Sequence, residues 1–139
     1  MDINATIAAY WAYWRHSSSS AAAARDESDD LFWAWGAVEE VIADADPGSV
    51  GLIIALTDAA PNDLALAYLG AGPLENLLNE HATQFADEID EAARTHPGFR
   101  KALRCAWYDN RIDPELVARF RRFGRRSPLV RDRAARNQR

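Results

Sequence analysis

The chain has 139 residues, 48% of them hydrophobic, a formal net charge of −5 and a single cysteine. A domain of this size buries about two-thirds of its unfolded surface, so it folds without a metal or disulfide staple, and one cysteine excludes an internal disulfide. No apolar run approaches the roughly 20 residues of a membrane span, and Asp2 stands where a secretory leader would be basic, so the expectation is a cytoplasmic protein without a membrane partner.

Ile3, Ile7, Tyr10 and Trp14 recur at helical spacing and predict a first helix from about Ile3 to Arg15, with Trp11 beside the stripe. Ser17–Ser20 and Ala21–Ala24 form a low-complexity patch, read as a loop whose alanine half can extend either neighbour. A second helix is expected behind Asp26, Glu27, Asp29 and Asp30, acids placed where the helix dipole favours negative charge. Its stripe is Leu31, Trp35, Val38 and Ile42. Trp33 and Trp35 stand about 200° apart round a helix, so either the helix is buried on two sides or one tryptophan is exposed.

Prolines punctuate the rest of the chain. Proline lacks an N–H that would be unsatisfied at a helix start anyway, and its fixed φ suits helix entry. Pro47, Pro61, Pro73, Pro97 and Pro114 are therefore each expected to open a helix. Gly70-Ala71-Gly72 reads as a stop before Pro73, with Glu75 at the third helical position as a cap. A break is expected near Ala82, and Gly124 ends the last helix. With no period-2 alternation, the fold class is all-α: about seven short helices in an irregular, helical-repeat-like array of antiparallel pairs. Leu31, Trp35, Val38, Ile53, Leu56, Leu74, Leu77, Leu78, Phe85, Ile89, Leu103 and Trp107 are the expected core.

Charge is divided along the chain. Residues 1–114 carry 19 acidic and 7 basic side chains, whereas residues 115–139 carry 2 and 9. The expected organisation is a helical domain over residues 1–124 and a basic, mobile tail over residues 125–139.

Residues 61–81 hold a distinctive string: Pro61-Asn62-Asp63, then Leu69-Gly70-Ala71-Gly72-Pro73-Leu74-Glu75-Asn76-Leu77-Leu78, then His81. With Tyr10-Trp11, Phe32-Trp33-Ala34-Trp35, Phe99-Arg100 and Trp107, it resembles a bacterial family catalogued only as a domain of unknown function, over roughly residues 7–123. A glycine is expected after the histidine, where this chain has Ala82. The resemblance implies a small helical domain and assigns no activity.

Motifs that carry chemistry are absent. Metal-ligand spacing, a phosphate-binding loop and a serine nucleophile motif are all missing. Cys105 lies in an apolar run and reads as an inert buried thiol. His16 and His96 sit at expected helix ends, and His81 on an apolar stripe. The reading is a non-enzymatic protein with no cofactor and no metal. It is expected to bind protein, in the manner of a bacterial immunity or antitoxin protein that masks a basic partner. Surplus aromatics (Trp11, Tyr13 and Trp33) and an acidic edge (Asp87, Glu88, Asp90 and Glu91) are the candidate contacts. A nucleic-acid-associated protein using Arg121, Arg122, Arg125, Arg126, Arg131 and Arg133 is the alternative; a scaffold or accessory subunit is the third.

Overall fold

A computed structural model describes residues 1–17, 22–108 and 111–124, with backbone alone for residues 22–27. The expected tail, residues 125–139, lies outside the described residues. Among those described the fold is all-helical, with no strand. The order is α1 (Ile3–Ser17), α2 (Ala22–Ala43), α3 (Ser49–Asp58), α4 (Asp63–Leu69), a π-helical turn (Gly70–Leu74), α5 (Glu75–Thr95), α6 (Pro97–Leu103) and α7 (Pro114–Arg121).

Four helix starts follow the expected local chemistry. Asp46 Oδ1 accepts from Gly48 N at 2.8 Å just ahead of α3, two residues after Pro47. Asn62, with extended backbone, caps α4 by accepting from Ala65 N at 2.9 Å. Pro97 and Pro114 occupy the first turns of α6 and α7, and Asp113 caps α7 through Glu115 N at 2.9 Å.

Pro73 departs from the rule. The chain stays helical from Asp63 to Thr95, and Pro73 is absorbed in a π-helical turn instead of opening a helix. A π-turn carries an extra residue per turn, which accommodates a ring that would clash in a regular α-helix. Glu75 therefore continues an existing helix and does not stand at a helix start. The break expected near Ala82 is a kink at His81, whose backbone is non-helical (φ −140°, ψ 24°) while α5 runs on to Thr95. Leu77, Leu78, Phe85 and Ile89 stay on its buried side.

The core joins all seven α-helices of the described residues. Tyr10, Val38, Ile53, Leu56, Leu74, Leu77, Leu78, Ile89, Phe99 and Phe120 are essentially inaccessible. Three expected core residues, Leu31, Trp35 and Trp107, are only half-buried. Trp11 ties α1 to α3 by donating its indole N–H to Leu56 O at 3.1 Å. No described helix is long and apolar enough to cross a membrane.

Candidate functional site

The solvent face of α2 carries the first part of the site. Because α2 begins at Ala22, Asp29 and Asp30 lie two turns inside it and not in the first turn, so the dipole does not account for them. At about 100° per residue, Asp29, Trp33 and Glu40 fall within one stripe, which Asp44 in the turn just after α2 continues, with Asp30 at its edge. All five are exposed, Trp33 at 52%. The four carboxylates form no ion pair among the described residues. Phe32, 49% exposed, flanks the stripe and is held in place: it stacks on Trp35 with ring centres 5.3 Å apart and meets Tyr13 edge-on at 5.8 Å. The exposed member of the tryptophan pair is thus Trp33, and Trp35 packs against the core.

The second part is a groove beside the first half of α5. Asn76 Nδ2 donates to Glu39 Oε2 of α2 at 3.1 Å, and Gln84 Nε2 donates to Ala45 O at 3.3 Å. On its other flank, Glu75 Oε1 accepts the Trp107 backbone N–H at 2.6 Å, and Asn79 Nδ2 donates to Trp107 O at 3.2 Å. These bonds hold α5 between α2 and the corner after α6. Two adjoining hollows of about 380 and 390 Å³ share Asn79, Glu80 and Arg111; one extends to Ile112 and Asp113, the other to Glu75 and Trp107. Asn79 Oδ1 is buried with no donor. Burial pushes the Glu39 carboxyl above the usual carboxylate range; the Asn76 hydrogen bond opposes this and the nearby Glu80 charge adds to it. His81 Nε2 lies 3.2 Å from Ala43 O and 3.8 Å from Glu80, so it does not pair with Glu75.

The acidic edge of α5 has a different environment. Asp90 is 4% exposed and is met by Arg94 at 3.4 Å, by Arg119 at 3.4 Å and by Arg122. Asp87 pairs with Arg119 at 2.7 Å, and Glu91 with Arg94. Glu88 is exposed. Arg119 of α7, Arg122 just after it and Arg94 of α5 thus supply counter-charges to Asp87, Asp90 and Glu91 from within the chain. Trp11, only 4% exposed, is part of the core and not of the surface, and Tyr13 is half-buried.

Of the arginines considered for nucleic acid, Arg121 is exposed and Arg122 holds Asp90 while its guanidinium lies 5.2 Å from the Phe123 ring centre. Arg125, Arg126, Arg131 and Arg133 lie outside the described residues. Cys105 is buried, its thiol is pushed up by that burial, and it donates to Lys101 O at 3.5 Å. Among the described residues no three His, Cys, Asp or Glu side chains gather as metal ligands would.

The signal for the α2 stripe was present in the sequence, in the i, i+4, i+11, i+15 spacing of Asp29, Trp33, Glu40 and Asp44. An expected helix start at the acids concealed it. The groove had no comparable signal, because its two walls come from segments about 30 residues apart that meet only through the path of the fold.

The chain belongs to the family of unknown function DUF6869, whose model matches residues 21–127. That span takes in the α2 stripe, the groove and the Pro61–His81 string. It excludes α1, whose Tyr10-Trp11 counted toward the expected resemblance over residues 7–123. No curated protein and no solved structure matches the chain.

Proposed function

We propose that this domain is a non-enzymatic protein-binding module that masks a basic partner, as an immunity or antitoxin protein does, and that the partner meets the solvent face of α2. The observation that carries this reading is Trp33, an exposed tryptophan among carboxylates that form no ion pair among the described residues. Tryptophan is a preferred anchor of protein interfaces, and complementary charge steers association. Phe32, already stacked on Trp35, enlarges the apolar centre without much ordering on binding. The acids at Asp87, Asp90 and Glu91 serve α7 and Arg94, so the docking edge moves from α5 to α2. The reading extends to the family: Gly72-Pro73-Leu74-Glu75-Asn76-Leu77-Leu78 is the mark we expect in other members, which we take to be bacterial.

Affinity capture from the native host, followed by titration of the captured protein, tests the proposal. A basic protein is expected. Trp33→Ala should weaken its binding by tenfold or more. Reversing Asp29 and Asp30 to lysine should slow association and flatten its salt dependence. An acidic partner, a capture lost on nuclease treatment, or a basic partner indifferent to Trp33→Ala would each overturn it.

A further inference from the structure

The geometry points to the groove beside α5 as the pocket for one arginine side chain of that basic partner. This deepens the protein-binding reading and rests on it for the source of the arginine; the preference of the groove for a cation stands on its own residues.

Asn79, which lines both hollows, carries an acceptor in need of a donor. Asn79 Oδ1 is buried and unpartnered, and because Nδ2 of the same amide already donates to Trp107 O, the free atom is the oxygen. A buried acceptor without a donor is costly, and an incoming N–H removes that cost. The walls are acidic. Glu75, Glu80 and Asp113 outnumber Arg111, and Glu39 stands behind Asn76. Glu75 commits an oxygen to the Trp107 N–H, which leaves Glu80, with its side chain about half exposed, as the carboxylate at the mouth.

Half-buried Trp107 lines the same hollow, and a guanidinium combines two properties that suit such a lining: a flat face for an indole and N–H donors in its plane. A hollow of about 390 Å³ suits one such group and its stem better than an extended ligand.

Arg111 separates this assignment from its opposite. It is exposed and has neither an ion pair nor a side-chain hydrogen bond among the described residues. For an anionic ligand it would be the anchor; for a guanidinium it is the opposing charge, the one Arg or Lys among the described lining residues. Removing it must therefore move the two affinities in opposite directions.

Titration of N-acetyl-arginine methylamide into the full chain, followed through the Asn79 side-chain amide and the Trp107 indole in nitrogen–proton spectra, tests the pocket without the partner. Both signals should move, and the blocked citrulline analogue and N-acetyl-glutamate should leave them in place. Glu80→Gln should weaken the arginine probe about tenfold, as loss of a charged hydrogen-bond partner does. Arg111→Gln should tighten it. Trp33→Ala should leave this titration unchanged, so failure of the α2 reading and failure of the pocket are seen separately. Silence of all probes, binding of N-acetyl-glutamate that Arg111→Gln abolishes, or spermidine binding tighter than blocked arginine would each overturn the assignment.

Discussion

The carbonyl oxygen of Ala102 stands where a side chain on Gly70 would have to go: a Cβ at Gly70 would lie 2.0 Å from it. The π-helical turn and α6 pack backbone to backbone at that point, and neither partner is a flexible side-chain end. Gly70→Ala is therefore expected to cost at least about 1–3 kcal/mol, the range for overpacking a tight interior. Gly72, in the same turn, has nothing beyond its chain neighbours within 4 Å of an added Cβ, so Gly72→Ala should cost less than Gly70→Ala, the chain entropy that glycine gives up in a helix offsetting the crowding of a Cβ that precedes Pro73. Urea unfolding of the two variants checks both. Equal midpoints would mean that the close approach at Gly70 does not exist.

This pair also marks how far local reasoning reached. Pro47, Pro61, Pro97 and Pro114 were legible because helix entry is decided by a few adjacent residues. At Pro73 the same local chemistry lost to tertiary packing, since Gly70 must meet Ala102 and the helix is carried through by an extra residue per turn. The parity argument for Trp33 and Trp35 held because 3.6-residue periodicity is geometric. The capture of Asp87 and Asp90 by Arg119 and Arg122 spans about 30 residues, and no pattern within one helix encodes it.

Glu39 yields a prediction in pH. Its folded carboxyl titrates above the ordinary range because burial opposes its charge and Glu80 adds to that. The folded chain then holds a proton more readily than the unfolded one, so stability falls as pH rises from about 4.3, the unfolded value, through the raised folded value. Glu39→Gln, which keeps an acceptor for Asn76, should unfold at a higher temperature than the parent at pH 7. That advantage should vanish below about pH 4. A midpoint difference that is the same at both pH values would show that the Glu39 charge is not strained.

Asp90 is the point at which α7 is fastened to α5. It is buried, with Arg94, Arg119 and Arg122 around it, whereas Asp87 offers Arg119 an exposed carboxylate. Asp90→Asn keeps the shape and removes the charge that three guanidinium groups share. Amide exchange in α7 should accelerate while exchange in α3 and α4 stays as it was, because local opening is set by the contacts of each element. Asp87→Asn should have little effect, as exposed pairs contribute little. Unchanged α7 protection in Asp90→Asn would assign its docking to Val117 and Phe120 alone.

The same ion pairs bear on the choice between protein and nucleic acid. Phosphate groups binding at α7 would have to displace the carboxylates of Asp87 and Asp90 from Arg119 and Arg122. Sequence-independent affinity would therefore fall to the six arginines of residues 125–139. A chain ending at Gly124 is expected to keep its basic protein partner, because Trp33 and its acidic neighbours remain. The full chain is expected to bind duplex and single strands only weakly at physiological salt. Titrations at two salt concentrations, with and without residues 125–139, decide the matter. Tight binding that depends on those residues, with log affinity falling steeply against log salt, would mean that phosphate and not a basic protein is the principal partner.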